Sequence, residues 1–146
     1  MSKGFTLIEI LVVLGISVIL ATGGFLMLWS FRSHQALSLS AEKIVAVLRD
    51  AQARSVSQED GLSWGVHFEN VVGSDSYWIF GGDPAVPIEK VSLSSGVALD
   101  TPTANVSFFK VSGLPVSPAE VKIKLSNDDT VFRTITINAQ GTIEQK

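Results

Sequence analysis

Few residues in this 146-residue chain have types and spacing suited to chemistry, and most of those lie at its start. Lys3-Gly4-Phe5 is followed by Thr6-Leu7-Ile8-Glu9, and no residue from Ile10 to Phe31 is charged. A glycine between a lysine and a phenylalanine suits proteolysis. A protease must hold its substrate extended, and a residue without a side chain lets the active site approach the backbone. Glu9 then stands four residues into an apolar stretch. A carboxylate in the middle of a membrane helix costs about 2.5–3.5 kcal/mol, and less near an end. A plain anchor has no use for that charge, whereas an anchor that must assemble, or be recognised and cut, does.

The remaining candidates point to no reaction. His34 and His67 are the only histidines and fall on separate elements without an acidic cluster at ligand spacing, so a metal site is not expected. Asn127-Asp128-Asp129 is acidic but lacks the EF-hand pattern and reads as a turn. Trp64, Tyr77, Trp78 and Phe80 fall on alternating strands and read as core rather than as a ligand platform. There is no cysteine, which excludes disulfides and thiolate metal sites. No nucleophile–base pair and no glycine-rich phosphate loop is found, so neither catalytic residues nor a cofactor is expected. Net charge is −3 with basic residues scattered singly, which does not favour a nucleic-acid partner. Ser17, Ala21 and Gly24 share one helical face beside Gly23. Small residues let helices approach closely in a membrane, so this face reads either as a subunit seam or as ordinary membrane-helix composition.

These residues need elements to hold them. At 1.5 Å per residue, the charge-free stretch is long enough to cross a hydrocarbon core of about 30 Å. A secretory signal peptide has a shorter apolar region, followed by a small-x-small cleavage site. Leu37, Ala41, Ile44, Leu48 and Ala51 then recur in steps of four and three, one face of an amphipathic helix. One helix is therefore expected from about Thr6 to about Gln58, ended by Glu59-Asp60-Gly61. Strands are expected at 63–68, 76–80, 89–93, 105–111, 120–125, 131–137 and 142–144, with all five prolines between them. The fold class is α+β: a long N-terminal helix whose one-sided second half packs on an antiparallel β-sheet. The expected organisation is 1–4 leader, 5–31 membrane-spanning helix, 32–58 amphipathic continuation and 59–146 sheet domain. Residues from about Gln35 onward are expected to fold alone.

The string Lys3-Gly4-Phe5-Thr6-Leu7-Ile8-Glu9 resembles the processing signal of type IV pilins and type II secretion pseudopilins. The helix end 48–56 and the closing stretch 135–143 resemble the H-type pseudopilin branch. The resemblance implies a pilin-like fold and cleavage after Gly4 by a prepilin peptidase. It implies N-methylation of Phe5 and a filament-assembly role for Glu9. It also implies other pilin or pseudopilin subunits, an inner-membrane assembly platform and the lipid bilayer as partners. The chain is then a single-pass protein of the bacterial inner membrane, with its N-terminus in the cytoplasm and its C-terminal domain on the outer side. It departs from many pilins in lacking a proline in the apolar helix. Two rival readings are a membrane-anchored β-domain that binds a ligand and a DNA-uptake minor pilin. The first has no use for Glu9, and the scattered charge argues against the second. Protein isolated from its native membrane should have the intact mass of a chain beginning at methylated Phe5. A mature chain retaining Met1, in cells with an active prepilin peptidase, overturns this expectation.

Overall fold

A computed structural model describes residues 6–71 and 73–146, apart from the side chains of residues 23–27. Helix α1 runs Leu7–Ser57 and eight strands follow: β1 (Trp64–Glu69), β2 (Ser76–Gly81), β3 (Glu89–Ser92), β4 (Val97–Leu99), β5 (Ala104–Ser107), β6 (Ala119–Leu125), β7 (Asp128–Ile137) and β8 (Ile143–Gln145). The chain divides into two compact units, Met1–His34 and Gln35–Lys146.

Unit two contains the second half of α1 and all the strands. Leu37, Ala41, Ile44, Leu48 and Ala51 are almost wholly buried, so the stripe read from the sequence is the face that packs. Fully burying a leucine or isoleucine contributes about 1.5–3 kcal/mol. The stripe shares one core with Trp64, Val66 and Phe68 of β1, Val121, Ile123 and Leu125 of β6, and Ile135 and Ile137 of β7. In place of the single sheet expected, there are two four-stranded antiparallel sheets, ordered β3-β2-β1-β5 and β4-β6-β7-β8. Strand β4 was not anticipated, because three residues are too few to show a period. The 105–111 segment forms the shorter strand β5. It ends in an isolated bridge between Phe108 and Pro115.

The helix stops where its last polar residues are claimed by the strands. Gln58 takes a left-handed conformation (φ 56°), the usual way to leave a helix. Three residues earlier, buried Ser55 accepts the Trp64 N–H at 2.8 Å, and its hydroxyl lies within 3.4 Å of the Trp64 and Phe108 carbonyls. The Ser55 carbonyl accepts the Val111 N–H. Gln52 donates to the carbonyls of Gly113 and Gly141 at 2.8 and 3.0 Å. The close approach explains the glycine at 141, since a Cβ there would lie 2.9 Å from the Gln52 amide nitrogen.

The sheets also have a second, outward layer. Phe80 and Trp78 are buried on the face opposite the helix, the first against Gly65 and the second stacked on His67 at 4.1 Å. A Cβ at Gly65 would stand 2.6 Å from the Phe80 ring, so only glycine fits. The free edge of β4 is closed by side chains. Asp75 accepts the Leu99 N–H, and Asn70 donates to the Leu99 and Thr101 carbonyls. Closing an edge in this way removes a template for unwanted strand pairing.

A fragment beginning at Gln35 should unfold cooperatively, and Ser55→Ala should lower its stability by about 1–3 kcal/mol, because the buried Trp64 N–H loses its acceptor and the hydroxyl donor shared by the Trp64 and Phe108 carbonyls is lost. Thermal melts of the two fragments check this, and equal midpoints would remove Ser55 from the account.

Candidate assembly site

The site begins at the first described turn. Thr6 precedes the helix, and its hydroxyl and carbonyl both accept the Glu9 N–H, at 3.4 and 3.1 Å. Thr6-Leu7-Ile8-Glu9 thus matches the capping-box pattern at a helix start, a signal present in the sequence that the reading above passed over. A carboxylate in the first turn is also favoured by the helix dipole. Glu9, Ile10, Val13 and Leu14 line a shallow hollow on the helix surface.

Around that hollow the helix presents apolar side chains on every side. Leu7 is 81% exposed and Ile19 74%, and Leu11, Leu14, Ile16, Val18 and Leu20 are exposed as well. A helix that is hydrophobic all round requires an apolar medium, either lipid or other helices. Glu9 is the single acidic group among these described residues, and its side chain is exposed with them.

Of the expected seam, Ser17 and Ala21 are exposed on the helix. The Ser17 hydroxyl donates to the Val13 carbonyl at 2.7 Å, and Thr22 does the same to Val18. Both hydroxyls are thereby satisfied within the helix, which is how such residues enter apolar surroundings. The surroundings of Gly24, like Lys3, Gly4 and Phe5, lie outside the described residues. No helix is long and apolar enough to cross a membrane among the described residues. The continuous described stretch from Leu7 to Thr22 reaches only about 24 Å at 1.5 Å per residue.

Unit two carries ion pairs in place of a reactive cluster. Among the described residues no group of histidine, aspartate and glutamate could hold a metal ion. The two histidines fall in different units. His67 is stacked on Trp78 and bonded to Asn105. In the turn considered for calcium, Asp128 accepts from Thr130 and Asp129 pairs with Lys124. On the outer face of β6, Asp100 lies 2.9 Å from Lys124 and 3.3 Å from Lys122. Hydrogen bonds from those two ammonium groups, Lys124 first, hold the Asp100 carboxyl below its ordinary range, and the bonds Lys124 donates to Asp129 and Asp100 push Lys124 up. Glu69 is likewise lowered, first by Lys90 at 2.7 Å and then by Ser76. Burial raises Tyr77, and the charge on Glu89 adds to it.

Comparison with known proteins adds two findings. Residues 1–25 match the family model described as the prokaryotic N-terminal methylation motif. No curated protein matches the chain. Among solved structures, the type IV minor pilin FimU of Pseudomonas aeruginosa aligns with a TM-score of 0.60 at 18% identity, covering 80% of this chain and 92% of that one. The minor pseudopilin EpsH of the Vibrio cholerae type 2 secretion system aligns with a TM-score of 0.55 at 14% identity, covering 75% and 95%. At these identities the likeness is one of fold, and the fold is pilin-like.

The ion pairs have a pH consequence. Asp100 and Glu69 are lowered on folding, so what they contribute is present above their ordinary pKa values and is lost as pH falls through the lowered ones. Lys124 is raised, so its part is lost only above its ordinary value of 10.5. Unfolding midpoints should therefore fall on acidification below about pH 4.5, and Asp100→Asn should flatten part of that slope. An unchanged acid slope in Asp100→Asn would show that the pairs are not coupled to folding.

Proposed function

We propose that this chain, which joins a prokaryotic N-terminal methylation motif to a pilin-like α+β fold, is a minor pilin or pseudopilin, a structural subunit of a type IV pilus or type II secretion filament. The observation that carries the reading is Glu9: one carboxylate within the matched residues 1–25, on a helix whose other described side chains in that stretch are uncharged and exposed. The work of such a chain is assembly, and no substrate is turned over.

The finer steps follow from charge and solvent. A prepilin peptidase cuts between Gly4 and Phe5, with Lys3 before the cut, and the new Phe5 amine is methylated. The residues from Phe5 to Phe31 hold the subunit in the inner membrane, with the N-terminus cytoplasmic and the sheet domain outside. An amine and a carboxylate are each costly in hydrocarbon, and both costs fall when they pair. Glu9 of one subunit therefore pairs with the Phe5 amine of a neighbour. The face of Ser17, Ala21 and Gly24 lets those helices approach closely. Each contact is between different surfaces, so repetition with a rotation that does not close produces an open helical filament. The assembly platform of the inner membrane extrudes it.

Glu9→Ala loses this pairing while easing entry into lipid. The variant should insert in the membrane but fail to enter filaments or to crosslink with neighbouring subunits. Wild-type incorporation of Glu9→Ala would overturn the assembly role and leave the anchored binding module as the better reading.

A further inference from the structure

We propose that the outer edge of β3, with the groove beside it, docks an extended segment of another protein whose groove-facing side chains, at every second position, are apolar except for a basic one beside Glu89. The alternation of the ladder sets which peptide groups are free. Gly82 N–H donates to the Ser63 carbonyl and Leu93 N–H to the Asp75 carbonyl, so β2 directs Ser76, Trp78 and Phe80 at β1 and directs Tyr77 and Ile79 at β3. Glu89 and Val91 point back at β2. The peptide groups of Lys90 and Ser92 therefore point away from the sheet, and both residues are exposed. No loop or side chain among the described residues bonds those groups.

The other edges are treated differently. Asp75 and Asn70 close β4, and the Val116 N–H bonds the Ser107 carbonyl at the end of β5. Strand β8 is also an outer strand, but no large apolar side chain beyond Phe132 is exposed beside it. Leading into β3, by contrast, Val86 and Ile88 are 59% and 55% exposed. A groove runs along this edge, lined by Val47 and Asp50 of α1, Tyr77 and Ile79 of β2, and Glu89 and Val91 of β3.

The groove gives the occupant its chemistry. An added strand takes its affinity from main-chain hydrogen bonds and its selectivity from every second side chain. Here alternate positions meet an apolar floor of Val47, Ile79 and Val91. The rim is acidic: Asp50 is already held by Arg54 at 3.0 Å, while Glu89 makes no ion pair among the described residues. A basic residue placed beside Glu89 completes it, and an acidic one is repelled. Lys90 does not compete, because it lies on the opposite face, bound to Glu69 and set over the Trp78 ring. This inference goes beyond filament assembly and does not depend on Glu9.

The test uses the full chain in neutral detergent and a fluorescein-labelled seven-residue peptide, Thr-Val-Thr-Lys-Thr-Val-Thr, whose valines and lysine share one strand face, read by anisotropy. Saturable binding is expected. Ser92→Pro, which deletes an outward N–H without touching the β2–β3 ladder, should weaken it at least about tenfold. Glu89→Lys should weaken it as well and favour instead the same peptide with glutamate in place of its lysine. Binding that survives both substitutions, or that is equal for a peptide N-methylated at alternate amides, overturns the proposal, as does absence of saturable binding. If Ser92→Pro does not fold, Glu89→Lys and the N-methylated peptide decide. Self-association of the chain that Glu89→Lys abolishes, without peptide binding, would also overturn it and assign the edge to a second copy.

Discussion

The second half of α1 carries an apolar stripe that it cannot hide by itself, and the rest of unit two is arranged to cover it. Leu37, Ala41, Ile44, Leu48 and Ala51 are nearly inaccessible because two sheets contribute side chains to the same core. The stripe ends in two polar residues, Gln52 and Ser55, whose hydrogen bonds run to Trp64, Phe108, Gly113 and Gly141. Hydrophobic burial supplies the driving force but has no direction. The hydrogen bonds at the end of the stripe set where strands start and hairpins turn. Val111 shows the cost of that register: it takes a left-handed φ of 68°, a conformation that β-branched residues avoid, while its N–H bonds Ser55.

Beyond the core, the sheets stay separate and bounded through polar side chains. Asp75 is central, because one oxygen accepts Val71 and the other Leu99, tying the β1–β2 turn to the edge of β4. Glu69, Lys90 and Trp78 make a comparable set on the outer face of the first sheet, and Asp100, Lys122 and Lys124 on the second. These pairs are solvent-facing, so their part in stability is small and sensitive to salt. Their clearer effect is to mark one face of each sheet as the wet one.

One helix thus serves under two solvents. In unit two it is one-sided and its stripe is met by strands. From Leu7 to Leu20 it exposes apolar side chains on all sides, and such a surface persists only in lipid or among like helices. Glu9 stands out only against that background. On a water-facing helix it would be an ordinary capping residue, held by Thr6 and favoured by the dipole. In an apolar medium the same carboxylate demands a positive partner, which the proposed function supplies from a neighbouring subunit.

The sequence by itself determined the helix, its two characters and most strands. Periods of 3.6 and 2 are local properties, and they persist long enough in 37–51 and 120–125 to be read. Burial then followed for Val121, Ile123 and Leu125, and the helix ended within a residue of the expected place. The N-terminal motif was legible because its chemistry lies in adjacent residues. Only the tertiary structure decided that the strands form two sheets, since pairing depends on which strand ends meet and no local pattern records it. It alone revealed β4, too short to have a period, and the tasks of Asn70, Asp75, Gln52 and Ser55. Each of these looks like an ordinary polar residue in the sequence, and its role arises from backbone groups as many as 89 positions away. The buried outer layer of Trp78 and Phe80 was decided there too, because alternation marks one face of a strand as apolar and cannot say that a stacked histidine and an apposed glycine will cover the other.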